Sequence, residues 1–174
     1  MTLSDWLDGL PRDRAAEVLQ RCCGARRWVD GMLAARPFGA DEAVFAAADR
    51  VWSDAAPDDV HEALAHHPEI GADLAALRAR FARTADWSAG EQGGMREADE
   101  ATIVALRDGN VRYRERFGHT FVVCATGKRA DEMLALLQAR IANDPATELR
   151  IAAAEQAKIT RLRLEKLREE AANA

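Results

Sequence analysis

Apolar positions along the chain recur mostly at spacings of three and four, the mark of helices that each bury one stripe. Leu3 to Leu7 opens a short helix, Pro11 restarts the chain, Asp13 to about Cys22 forms a second, and a third follows Gly24 and ends before Pro37. Arg36-Pro37-Phe38-Gly39 reads as a turn. Asp41 is placed to cap a helix carrying Val44, Ala47, Ala48 and Val51, and Pro57 sits near the first turn of the next. Ala72 to about Thr84 holds Leu74, Leu77 and Phe81 at helical spacing. Arg96 to Phe117 is expected as a long amphipathic helix with Ile103, Leu106, Asn110 and Tyr113, weakened by Gly109 and stopped by Gly118. Phe121-Val122-Val123-Cys124-Ala125 is strand-like, but a single short run makes no sheet, so it is read as extended chain through the core. Arg129 to Asn143, with Met133, Leu136, Leu137 and Ile141 on its apolar face, and Ala146 to about Glu170 complete the pattern. The expectation is an all-α fold: a single domain over residues 1–174, eight to nine helices, one short extended segment and no sheet.

Within this pattern the His67-Pro68 junction carries candidate chemistry. Proline disfavours the α conformation in the residue before it, so His67 is expected to be the last helical residue. Val60 and Leu64 lie seven and three residues earlier on the same stripe, which turns His67 inward and His66 outward. An imidazole, with an ordinary pKa of about 6.5, suits proton transfer near neutral pH. The bland reading, a hydrogen-bonded core histidine, stays open beside it.

Composition narrows the classes. At 174 residues, with 48% hydrophobic and 30% charged residues, the chain is long enough to bury a core without disulfides or metal. A formal net charge of -5 argues against a nucleic-acid surface, and the arginines are interleaved with Glu and Asp. Three cysteines, two of them the adjacent Cys22 and Cys23, suit a reducing compartment. No signal-peptide pattern and no apolar run of the ~20 residues needed to span a bilayer is seen, so a cytoplasmic protein with no membrane partner is expected.

Three constellations have competing readings. His61-Glu62-Ala63-Leu64-Ala65-His66 tempts a zinc reading, but its histidines are five apart and Ala65 holds the position where a second ligand is needed, so no metal site is expected. Ser88-Ala89-Gly90-Glu91 fits a capping box, while Glu91-Gln92 at a loop-to-helix junction equally suits a substrate rich in N–H and C=O groups. Ile159, Arg163 and Leu167 are spaced to share the inward stripe of the last helix, with Arg161 facing solvent. An inward guanidinium implies either a salt bridge to a buried carboxylate or an anchor for an anionic or carbonyl-rich ligand.

Taken together, Arg36-Pro37-Phe38, His67-Pro68 with Ile70-Gly71, Ser88 with Glu91-Gln92, Asn110 and Tyr113 leading to Arg116-Phe117-Gly118, Phe121 to Ala125, and Lys158-Ile159 with Leu162-Arg163-Leu164 resemble the decarboxylases of 2-oxo-4-hydroxy-4-carboxy-5-ureidoimidazoline (OHCU) over nearly the whole chain. The resemblance implies an all-helical enzyme without a cofactor, commonly a homodimer, that forms (S)-allantoin from this small-molecule substrate in urate degradation. It implies His67 as the main acid/base group and Glu91 as its partner. It implies Ser88 and Gln92 as holders of the ureido and ring amide groups, Arg163 as a clamp on a carbonyl or carboxylate oxygen, backbone around Phe121 and Val123 as pocket lining, and Pro68 as its wall. Glu69 and His119 depart from the common pattern and are expected at the pocket rim or outside it. The rival classes are a non-enzymatic helical interaction module, in which His67, Glu91 and Arg163 form a buried network, and a hydrolase or lyase for a neighbouring purine-ring product.

Overall fold

The structure is a computed structural model that describes residues 1–67, 92–126 and 128–173, with the side chains of 92–99 excepted. Among the described residues the fold is all-α, with eight helices and no strand. They are α1 Leu3–Gly9, α2 Arg12–Cys22, α3 Arg26–Ala34, α4 Asp41–Ser53, α5 Pro57–Ala65, α6 Gln92–Phe117, α7 Ala130–Ile141 and α8 Pro145–Ala172. The helix expected from Ala72 to Thr84 lies outside the described residues. The chain divides into two compact units: one holds Met1 to His66 and α8 from Ile151, the other His67 to Arg150.

In the first unit Leu3, Leu7, Leu19, Met32, Val44 and Leu164 are completely buried in one apolar cluster with Trp28 and Phe45. The indole N–H groups are satisfied by carbonyls, Trp28 by Ala48 at 3.2 Å and Trp52 by Ala153 at 3.0 Å, as amphipathic aromatics require. Asp41 does not cap its own helix as expected. Ala40 is the residue at that end, and the Asp41 carboxylate instead accepts the Ser4 N–H of α1 at 2.9 Å. An orphan donor at one helix start is thereby satisfied from another helix. Arg36-Pro37-Phe38 has a comparable task. Arg36 Nη2 donates to the Asp8 and Leu10 carbonyls at 2.9 and 2.6 Å, and the Asp8 carboxylate takes the Phe38 N–H at 2.8 Å and the Gly39 N–H at 3.1 Å. The Arg36-Pro37 peptide is cis.

In the second unit Ile103, Leu106 and Tyr113 of α6 pack with Met133 and Leu137 of α7 and with Phe121 and Val123 from the segment between those helices. Gly109 has a packing reason to be glycine: a Cβ there would meet Leu137 Cδ2 at 2.6 Å, so the buried Leu137 side chain would have to shift. Gly118 follows α6 with φ of +74°, the left-handed stop expected of it.

The apolar stripes needed two corrections. On α7 the inward positions are Met133, Leu137 and Arg140, whereas Ile141 is only half-buried. On α8 the buried line runs Glu148, Ala152, Gln156, Thr160, Leu164, Leu167 and Ala171, so Ile159 and Arg163 sit beside it, half-buried. In both helices the true stripe includes polar residues, which an argument from apolar spacing skips.

Candidate active site

The expected site begins at the end of α5. That helix stops at Ala65, two residues short of the expectation, and the His66 N–H bonds the Ala63 and Leu64 carbonyls in a tightened last turn. His67 lies in the bend that follows and is half-buried, while His66 is exposed as expected and packs across Gly24. Proline disfavours the α conformation in the residue before it, which removes His67 itself from the helix. Glu62 is engaged elsewhere: its carboxylate takes the Arg26 backbone N–H at 3.1 Å and the Arg26 Nε–H at 2.7 Å. The hydrogen bond from the Arg26 side chain holds that carboxyl below its ordinary range. Among the described residues no group of three or more His, Cys, Asp or Glu is gathered to hold a metal ion.

Arg163 makes a contact that neither reading foresaw. Its Nη1 donates to the Arg21 and Cys22 carbonyls at 3.2 and 3.1 Å, where α2 leaves its last carbonyls without helical partners. Nearby, burial pushes the Cys22 thiol up to about 12 and the Cys23 thiol up to about 11, which leaves both protonated and unreactive at neutral pH. A notch in the first unit, lined by Phe45, Asp49, Trp52, Thr160 and Arg161 among others, contains none of the expected site residues.

The second unit brings Phe121 and Val123 together, both buried, and shows what grips the peptide between them. Arg140 Nη1 donates to the Val122 carbonyl at 2.7 Å, its Nε donates to Glu148 Oε1 at 2.8 Å, and its Nη2 lies 3.3 Å from the Tyr113 hydroxyl. The Tyr113 hydroxyl donates to the same Glu148 oxygen, and Asn143 Nδ2 donates to the other at 2.8 Å. Burial, and then the bond to Glu148, raise the Tyr113 phenol well above its ordinary value. The Arg140 guanidinium also lies 4.7 Å from the centre of the Phe121 ring, which Tyr113 meets edge-on at 5.2 Å.

His119, expected at the pocket rim or outside it, lies against Tyr113. It is buried, edge-on to Tyr113 with ring centres 5.5 Å apart, and its Nδ1 is 3.1 Å from the Thr120 carbonyl. Asn110 donates to the Leu106 carbonyl at 2.8 Å, and among the described residues its buried Oδ1 has no hydrogen-bond partner. Pro68, Ser88 and Glu91, with Glu69, lie outside the described residues, and of Gln92 only its place at the start of α6 is described. His67 belongs to the second unit and Arg163 to the first. Sequence reasoning missed Arg140, Tyr113 and Glu148 as a group. The signal was present, since Met133, Leu137 and Arg140 have the spacing that singled out Arg163.

Fold and site define an all-α protein whose candidate polar groups come from a helix end and from an irregular segment between two helices. The OHCU decarboxylase family matches residues 8–165. The chain belongs to that family. It is 36% identical over 148 residues to the uric acid degradation bifunctional protein TTL of Arabidopsis thaliana, covering 84% of this chain and 45% of that protein. It is 39% identical over 102 residues to a 2-oxo-4-hydroxy-4-carboxy-5-ureidoimidazoline decarboxylase of Amia calva, covering 57% of this chain and 55% of that one. The chain thus spans about half the length of these two relatives. A crystal structure of an OHCU decarboxylase in the presence of (S)-allantoin is similar at 32% identity and a TM-score of 0.69, over 86% of this chain and 96% of that one.

Proposed function

We infer that this chain is a carboxy-lyase that converts 2-oxo-4-hydroxy-4-carboxy-5-ureidoimidazoline to (S)-allantoin in urate degradation, acting as a cytoplasmic homodimer of single-domain subunits and without a cofactor. The observation that carries the reading is the extent of the family match: residues 8–165 run through both units and include every candidate site residue. The same continuity supports one domain over residues 1–174. The similar decarboxylase crystallised with (S)-allantoin supports the choice of product.

The chemistry follows from the substrate. Loss of CO2 leaves a carbanion beside the ring C=N, so the substrate accepts its own electron pair, the task for which other decarboxylases bind pyridoxal or thiamine. What remains for the protein is to hold the carboxylate out of the conjugated plane and to deliver a proton to one face of the carbon bearing the ureido group. His67 acts as the acid/base group and Glu91 assists it. Ser88 and Gln92 hold the ureido and ring amide groups, backbone at Phe121 and Val123 lines the ring, Pro68 shapes the wall, and Arg163 takes a carbonyl or carboxylate oxygen. The position of His67, half-buried in a bend just past a helix end, supports its role, because such an imidazole is fixed by the fold yet not sealed in the core.

The test uses freshly generated substrate and follows the circular dichroism of the chiral product. His67→Ala and Glu91→Ala are expected to keep the helical spectrum and to lose on the order of 10²-fold or more in rate. If the unmutated protein leaves the spontaneous racemic decay unchanged, the reading is wrong.

A further inference from the structure

We propose that Arg140 is a positioning residue for substrate binding: anchored by Glu148 and Tyr113, it fixes the Phe121-Val122-Val123 backbone in the place from which Phe121 and Val123 meet the substrate. This inference rests on the decarboxylase reading above.

Three observations carry it. The first is that the guanidinium grips two consecutive residues of the segment, the Val122 carbonyl by a hydrogen bond of 2.7 Å and the Phe121 ring by stacking at 4.7 Å. The second is that Arg140 itself cannot turn. Its Nε is bound to a Glu148 that is completely buried, and that carboxylate is held in turn by Tyr113 and by Asn143. The third concerns what is left over. Among the described residues, the backbone N–H groups of Phe121 and Val123 donate no hydrogen bond and their C=O groups accept none, although both residues are buried. Buried backbone groups are almost always paired, so these four mark where a partner is to come.

The arrangement of the three residues links these facts. In the extended conformation that a Phe-Val-Val run favours, successive residues present their N–H and C=O to opposite edges of the chain. Anchoring Val122 on the Arg140 side therefore leaves the groups of Phe121 and Val123 for the other edge, two at a time and in register. A ring carrying alternating N–H and C=O groups matches such an edge. Burying an arginine for stability alone is a poor solution, because a well-packed apolar residue at the same stripe position does as well or better. Met133 and Leu137 show that apolar residues are accommodated along that stripe. A guanidinium adds direction, since its planar fork fixes several acceptors at once.

The experiment separates positioning from bulk folding. Arg140→Lys keeps a positive charge beside Glu148 but a single ammonium cannot hold Glu148, the Val122 carbonyl and the Phe121 face together. Initial rates of (S)-allantoin formation are measured across substrate concentration for the unmutated chain and the variant. The expected result is KM raised about tenfold, the effect of a misplaced hydrogen bond, with kcat within about threefold. A merely structural arginine gives the opposite split, an unchanged KM with the active fraction reduced, and that result overturns the proposal. If Arg140→Lys does not fold, Arg140→Met combined with Glu148→Leu removes both charges and is read by the same split. An inactive unmutated protein overturns the decarboxylase reading and this inference together. An active one with an unshifted KM in the folded variant overturns the inference alone.

Discussion

The two units bury polar atoms in different ways. In the first, the interior is apolar, and the charged side chains that reach inward do so from the edge to satisfy carbonyls: Arg36 on Asp8 and Leu10, Arg163 on Arg21 and Cys22. Its fully buried polar groups are neutral and paired, as Gln156 is with Thr160 at 2.9 Å. In the second, a full ion pair stands inside the protein, with the Arg140 side chain 8% exposed and that of Glu148 completely buried. Edge cations close helix ends and tolerate small shifts. An internal pair fixes directions, and here it fixes them at the segment that carries two of the proposed substrate-binding residues.

The largest effect is expected where that internal pair is broken on one side only. Glu148→Ala leaves the buried Arg140 charge without its carboxylate, which costs about 3–5 kcal/mol. Arg140→Met together with Glu148→Leu removes both charges and replaces them with apolar volume, so its cost is expected to be far smaller, with a gain in stability compatible with the physics. Urea unfolding of the two variants beside the unmutated chain decides the matter. Should the double variant be as unstable as the single one, the pair contributes net stability and the contrast drawn between the units fails.

How much of this was legible in the residues differs between the same two units. Helices α2 to α5 were visible from apolar spacing, from Pro57 and from the turn at Arg36-Pro37, because their cores are apolar and the pattern reports burial directly. The all-α class was visible from the same spacing, and the stop at Gly118 from glycine's freedom to take a positive φ. The pattern misled where burial is polar. Arg140 and Glu148 occupy inward positions that a hydrophobic template assigns to neighbours such as Ile141, and the α8 stripe was read one position off because Gln156 and Thr160 are part of it. His67 was legible as a residue at a helix end, although it was expected inside the helix, which stops at Ala65 and leaves it in the bend that follows. The partners of Arg163 were not legible, since which carbonyls it meets depends on tertiary placement that spacing does not encode.

A second effect separates the units along the pH axis. Burial raises Cys22 to about 12 and Cys23 to about 11, above the ordinary thiol value of about 8.5. In the unfolded chain both thiols lose their protons from pH ~8.5 upward while the folded chain keeps them, so the unfolded state gains. The stability contributed by their burial is therefore complete below pH ~8.5 and declines as pH rises toward the folded values, by as much as ~1.4 kcal/mol per pH unit for each thiol. Tyr113, also raised by burial, adds a decline of the same sign in the second unit that begins only near pH ~10. Urea midpoints measured from pH 7 to 10.5, a range set by those ordinary values, are expected to fall in two stages. Cys22→Ala with Cys23→Ala should remove the earlier stage, and Tyr113→Phe the later. An unchanged early slope in the double alanine variant would show that other groups drive the alkaline loss.

The smallest effect compares one kind of pair in two settings. Arg14 and Glu17 on α2 form an ion pair with side chains 68% and 62% exposed, against 8% and 0% for Arg140 and Glu148. Water screens the exposed charges, and holding two long side chains together costs entropy, so Glu17→Gln is expected to change stability by no more than ~0.5 kcal/mol. What difference there is should vanish near 1 M salt, where the Debye length falls to about 3 Å. The buried pair lies beyond the reach of that screening, so the penalty of Glu148→Ala should be the same at low and high salt. Salt titration of the two variants thus tests the contrast between an exposed and a buried pair. A salt-sensitive penalty at Glu148 would mean that ions reach the pair, and its role in fixing the Val122 carbonyl would then have to be given up.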